Sequence, residues 1–144
     1  MTVKVHELMT SDVTTAQPHQ TVAQIKGKMT KHSVSSVPVV SSDNTPVGVV
    51  SASDILTVEK DGTLISNIMT EKVYTIPEYE DVSVAARVMR NHNIHHLIVT
   101  QEQKVVGIIS SFDLLKLVEG HRYVMKNPPT SKSKGIGKRS KTEL

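Results

Sequence analysis

The chain has 144 residues, enough for one domain with a substantial core. It contains no cysteine, which excludes a disulfide framework, a zinc finger and a thiol nucleophile, and aromatics make up only 3%, so the core must come from Val, Ile, Leu and Met. The net charge of +3 is unevenly placed: residues 126–144 hold six Lys/Arg against one Glu, so the body is mildly acidic and the basicity argues for no basic face on the folded part.

No apolar run approaches a membrane span, and the N-terminus lacks the apolar stretch of a signal peptide; a cytoplasmic setting without membrane contact is expected. The chain opens with Leu8-Met9-Thr10. Residues 13–16 form a short β-branched segment ended by Pro18. Thr21 and Gln24 have capping-box spacing, and Val22, Ile25 and Met29 give the helix after them one apolar face. Residues 37–40 read as a strand, 41–46 as a hairpin loop and 47–50 as a strand apolar on both faces. A closing helix is expected over 53–58.

Lys60-Asp61-Gly62 ends this unit, and residues 63–68 lead into a second copy of it. Ile68-Met69-Thr70 repeats the opening at an offset of sixty. Strand 73–76, the Asp81-capped helix with Val82, Ala85, Ala86 and Met89, strand 97–99, loop 101–104, strand 105–109 and helix 112–118 follow. Two copies of a unit this long predict a pseudo-symmetric pair rather than a solenoid. From Asn127 onward Pro128-Pro129 and a Ser/Lys/Gly-rich run read as a flexible tail. The expected units are therefore 3–60 and 61–125, with a basic tail over 126–144.

The clearest repeated motif is apolar-Gly-apolar-apolar-Ser-x-x-Asp, at Gly48–Asp54 and at Gly107–Asp113. Gly107 predicts a close approach, either of a ligand or backbone or of the helix over 81–92, and its recurrence at Gly48 argues that the glycine is required without choosing between them. Ser-x-x-Asp is a capping box on its structural reading. On a functional reading it sets a carboxylate at the mouth of a sheet. There it can accept both hydroxyls of a ribose diol, beside the free N–H groups of a helix start.

With these motifs together the chain resembles a tandem pair of cystathionine-β-synthase (CBS) domains, a Bateman module, over residues 3–120. The resemblance implies an α/β (α+β) architecture of two pseudo-symmetric βαββα units packed through their sheets. It also implies clefts for AMP, ADP, ATP or S-adenosylmethionine as regulatory ligand, with no cofactor required. A homodimer and regulation of a partner protein are further implications. By residue, it assigns Asp113 and Ser110 to the ribose of one cleft, together with Thr10, Val13 and Thr15 from the opposite unit. The other cleft takes Asp54 and Ser51 with Thr70, Val73 and Thr75. Residues before the second strand are expected at phosphates: His95 and His96 in the second unit, Ser35 and Ser36 in the first. The cleft of Asp113 is on this ground the expected stronger site.

The histidines have other readings, as exposed or core-satisfied side chains or as metal ligands. Adjacent strand residues face opposite ways, which disfavours a shared ion. No nucleophile–base set, P-loop or dinucleotide glycine fingerprint appears, so an enzyme is not expected. The alternative function is a dimeric scaffold that contacts nucleic acid through the tail. That tail lacks aromatics for base stacking, and its structural reading is a solvated end.

Overall fold

The computed structural model describes residues 2–119; the tail over 126–144 lies outside them. A short helix α1 (Val5–Leu8) precedes α2 (Val22–His32). Thr21 starts α2 as its spacing predicts. Its hydroxyl accepts from the Gln24 N–H at 3.3 Å, and the Gln24 side-chain oxygen accepts from the Thr21 N–H at 2.9 Å. The face of Val22, Ile25 and Met29 is buried. Strands β1 (Ser36–Val40) and β2 (Pro46–Ser51) form an antiparallel hairpin and run into α3 (Ala52–Leu56).

A 3-10 turn at Ile65–Asn67 leads to β3 (Thr75–Pro77) and α4 (Val82–His92). Then come β4 (His96–Gln101), β5 (Lys104–Ser110) and α5 (Ser111–Glu119). Strand β3 pairs parallel with β4, and β4 antiparallel with β5. In the first unit the equivalent parallel pairing shrinks to one bridge, Ala16 with Val39. The second unit thus shows the expected mixed α+β pattern of opening strand, helix, hairpin and helix, and the first keeps helix, hairpin and helix with that one bridge in place of the strand.

The two units exchange their openings. Thr10 pairs with Ile108 of β5 through two backbone hydrogen bonds of 2.9 and 3.0 Å, and Thr70 pairs with Val49 of β2 at 2.8 and 2.9 Å. Val5 sits in the core of the second unit with Ile76, Val82, Ala85 and Ile109, while Ile65 sits in the core of the first with Val22, Ile25 and Val50. A third cluster of Val40, Ile98 and Val105, flanked by Val13 and Val73, joins the two. Burying these fully apolar side chains contributes about 1.5–3 kcal/mol each before chain entropy is charged.

The exchange explains where the structure departs from the sequence pattern. Residues 11–15 cross from one unit's sheet to the other's, so only Ala16 of the expected strand 13–16 pairs. Strands β2 and β5 alternate between buried and half-buried residues rather than being covered on both faces. Their second face includes Val49 and Ile108, which line a cleft. Helix α3 ends at Leu56, short of Val58; the Thr57 hydroxyl donates to the Asp54 carbonyl at 2.8 Å and closes the last turn.

Gly107 meets the opposite opening segment rather than α4. A Cβ there would run into the Met9 thioether and lie 3.0 Å from the Thr10 carbonyl oxygen. Gly48 stands in the same relation to Met69, at 2.7 Å from Sδ, and to the Thr70 carbonyl at 3.0 Å.

Candidate ligand-binding cleft

Each closing helix begins with the capping box that its sequence predicts. The Asp54 carboxylate accepts from the Ser51 N–H at 2.9 Å, and the Ser51 hydroxyl accepts from the Asp54 N–H at 3.2 Å. Asp113 and Ser110 repeat this at 2.9 and 3.1 Å. The segment before each second strand is tied to the same helix start. The Ser35 carbonyl accepts from the Ala52 N–H at 2.8 Å, and the His95 carbonyl from the Ser111 N–H at 2.9 Å.

The two carboxylates nonetheless differ. Asp113 is 8% exposed, the buried charged residue of the core, and its second oxygen lies 3.2 Å from Lys116 Nζ. The same ammonium donates to the Leu8 carbonyl at 3.3 Å. Both Asp113 oxygens are therefore engaged. Thr57 stands at the equivalent of Lys116, and no hydrogen bond among the described residues reaches the other oxygen of Asp54.

A cleft of about 370 Å³ opens between the units. Ser36 and Val49 line it from the first unit; Thr70, Lys72, Val73 and Tyr74 form the opening segment on its far side. His95 and His96 also line it, together with the apolar side chains of Ile94, Ile98 and Ile108. Both helix starts adjoin this lining. Ile108 and Ser110 share a face of β5, His96 is the cross-strand partner of Ser110, and Ser110 caps the helix that carries Asp113. The first unit repeats the relation toward Asp54. Val49 and Ser51 share a face of β2, Ser36 is the cross-strand partner of Ser51, and Ser51 caps the helix that carries Asp54.

His95 and His96, assigned by resemblance to the cleft of Asp113, adjoin the start of its helix, where His96 pairs with Ser110 and the His95 carbonyl accepts from Ser111, and they also line the cleft that holds Thr70, Val73 and Ser36. Neither carboxylate is itself a lining residue. Thr10 pairs through its backbone with Ile108, Val13 packs in the joining cluster, and Thr15 gives its carbonyl to Lys28 Nζ at 2.8 Å. Thr75 is exposed on β3. Ser35 and Ser110 enter through backbone ties and caps rather than as cleft lining.

Sequence reasoning missed Lys72 and Tyr74. Their signal was the divergence between copies, since Asp12 and Thr14 occupy the equivalent positions in the first unit.

Burial depresses the pKa of His96, as does the neighbouring His95, while Asp113 pulls the other way. A neutral imidazole keeps both an N–H donor and a bare nitrogen acceptor. Among the described residues no group of three or more His, Cys, Asp or Glu is placed to hold a metal ion. No described helix is long and apolar enough to cross a membrane.

The family model for the CBS domain matches twice, over residues 5–61 and 65–120. The chain belongs to the CBS domain family. An uncharacterized 17.7 kDa protein of Acidianus ambivalens is 28% identical over 141 residues, covering 95% of this chain and 86% of that one. The inosine-5'-monophosphate dehydrogenase of Halobacterium salinarum is 35% identical over 108 residues, covering 73% of this chain. This CBS pair spans only 22% of that enzyme's length.

Among solved structures, the CBS domain pair of protein MJ0100, in complex with 5'-methylthioadenosine and S-adenosyl-L-methionine, superimposes with a TM-score of 0.76. It is 27% identical, over 83% of this chain and 98% of that one.

Proposed function

We propose that this CBS pair is a non-catalytic, ligand-sensing regulatory module. An adenosyl compound, either an adenine nucleotide or S-adenosylmethionine, binds in the cleft between the units and alters what a partner protein meets. The observation that carries this reading is the cleft itself: both units build it, its lining is mostly apolar, and Ser36, Thr70, Lys72, His95 and His96 add polar groups. An adenine ring suits the apolar wall of Val49, Ile98 and Ile108. Asp54 is the carboxylate freer to take a ribose diol, because its second oxygen is uncommitted whereas both oxygens of Asp113 are engaged. The complex of the related MJ0100 pair with two adenosyl ligands supports the same class.

Regulation follows if the ligand binds one arrangement of the units better than another. The crossing segments 11–15 and 71–74 are the natural place for such a difference, because each links the sheets of both units and the second lines the cleft. The proposal includes a homodimer. Helix α5 exposes Phe112 (77%), Leu115 (55%) and Val118 (71%) along one side, and Leu56 of α3, the repeat equivalent of Leu115, is 84% exposed. A second copy related by a twofold axis would cover this apolar set from both units.

Calorimetric titration of AMP, ATP, S-adenosylmethionine and NADH into the purified protein tests the reading. Saturable binding of at least one is expected; binding of none would overturn it.

A further inference from the structure

The repeat equates Lys72 with Asp12 and Tyr74 with Thr14. A cation and an aromatic ring therefore stand on one opening segment where a carboxylate and a small hydroxyl stand on the other. Lys72 lines the cleft and enters no ion pair among the described residues. Its ammonium lies 5.6 Å from the centroid of the Tyr74 ring. Tyr74 in turn is stacked on His92, with centroids 4.4 Å apart and planes tilted by 35°. The ring quadrupole attracts the ammonium, and His92 braces the ring. The result is a cation held at the cleft wall before any ligand arrives, in the cleft that His95 and His96 also line.

We propose that Lys72 is a specificity-determining residue that makes this cleft select a ligand with a negatively charged group, such as a phosphate, attached to its nucleoside. This inference rests on the adenosyl reading above for the nucleoside part, but the anion subsite stands on Lys72 and its aromatic support. A flexible ammonium suits a phosphate as a point charge, and prior positioning reduces the entropy lost on binding. The equivalent position of the first unit carries Asp12, so the two opening segments bear opposite charges at this point.

The test compares AMP with adenosine, which differ only in the phosphate, against wild type, Lys72→Gln and Lys72→Arg. Lys72→Gln should weaken AMP by about ten-fold, the loss of one charge-assisted contact, and leave adenosine within about two-fold. Lys72→Arg should restore most of the AMP affinity. Equal effects on AMP and adenosine, or none on AMP, would overturn the proposal while leaving the adenosyl reading intact.

Inorganic pyrophosphate, followed by amide chemical shifts, separates the two failures. Shifts at Val73, Tyr74 and His96 that vanish in Lys72→Gln support the anion subsite even if no adenosyl compound binds. Pyrophosphate shifts unchanged by Lys72→Gln would overturn it. Lys72 is exposed, and an unchanged amide spectrum elsewhere shows that the variant is folded.

Discussion

The thioether of Met9 occupies the space that a side chain on Gly107 would need, and Met69 does the same at Gly48. Each methionine belongs to the opening of one unit and each glycine to the sheet of the other, so these two contacts seat the exchanged segments. Gly107→Ala should lower unfolding stability by about 1–3 kcal/mol, because the methionine can move but the Thr10 carbonyl cannot. Adding Met9→Ala should recover only part of that loss. Denaturant unfolding of the single and double variants measures both; a neutral Gly107→Ala would contradict the account.

The β4–β5 turn stores strain that can be removed. Glu102 and Gln103 adopt φ of 50° and 70°, the left-handed pair of a two-residue hairpin that favours Asn-Gly. Replacing them by Asn and Gly should stabilise the fold by about 1 kcal/mol. A lower thermal midpoint in the double variant would count against it.

Much of this molecule was legible in the sequence because it is local. Capping boxes at Thr21, Ser51 and Ser110, and the helix faces of Val22, Ile25, Met29 and of Val82, Ala85, Met89, depend on residues three or four apart. What was hidden is long-range. Nothing near Thr10 announces its pairing with Ile108, nor near Lys116 its reach to the Leu8 carbonyl. The same limit hides the second set of neighbours of the histidines: His95 and His96 adjoin the helix of Asp113 in their own unit, and the topology also sets them in the cleft with Thr70 and Val73. Lys72 and Tyr74 needed only a comparison of the two copies.

Stability and ligand binding should respond oppositely to pH. The folded pKa of His96 lies below the ordinary imidazole value of about 6.5. Between those two values the unfolded chain binds more protons, so stability should fall as pH drops through about 6.5 toward the lower folded value. Burial first and then His95 beside it add to the cost of charging His96, and Asp113 opposes them; Lys72 also lines this cleft. A bound phosphate would raise the pKa again, so AMP affinity should increase from pH 8 to pH 6. A His96→Asn variant should lose part of both trends. AMP affinity that does not change over this range would contradict a phosphate at the histidines.

The dimer face makes a separate prediction. Phe112→Glu should convert a dimer to a monomer in sedimentation equilibrium without lowering the helical signal, because the ring is already exposed within one chain. A wild type that is monomeric at high concentration, or a variant that remains dimeric, would remove α5 as the interface.

An adenosyl ligand in the cleft lined by His95, His96, Thr70 and Val73 would set its ribose toward Asp54. Calorimetric titration of AMP into wild type, Asp54→Ala and Asp113→Ala tests this placement most directly. The account predicts at least about ten-fold weaker binding for Asp54→Ala, from the loss of hydrogen bonds to a charged acceptor, and nearly wild-type affinity for Asp113→Ala in the folded protein. Full affinity in Asp54→Ala, or loss confined to Asp113→Ala, would contradict it.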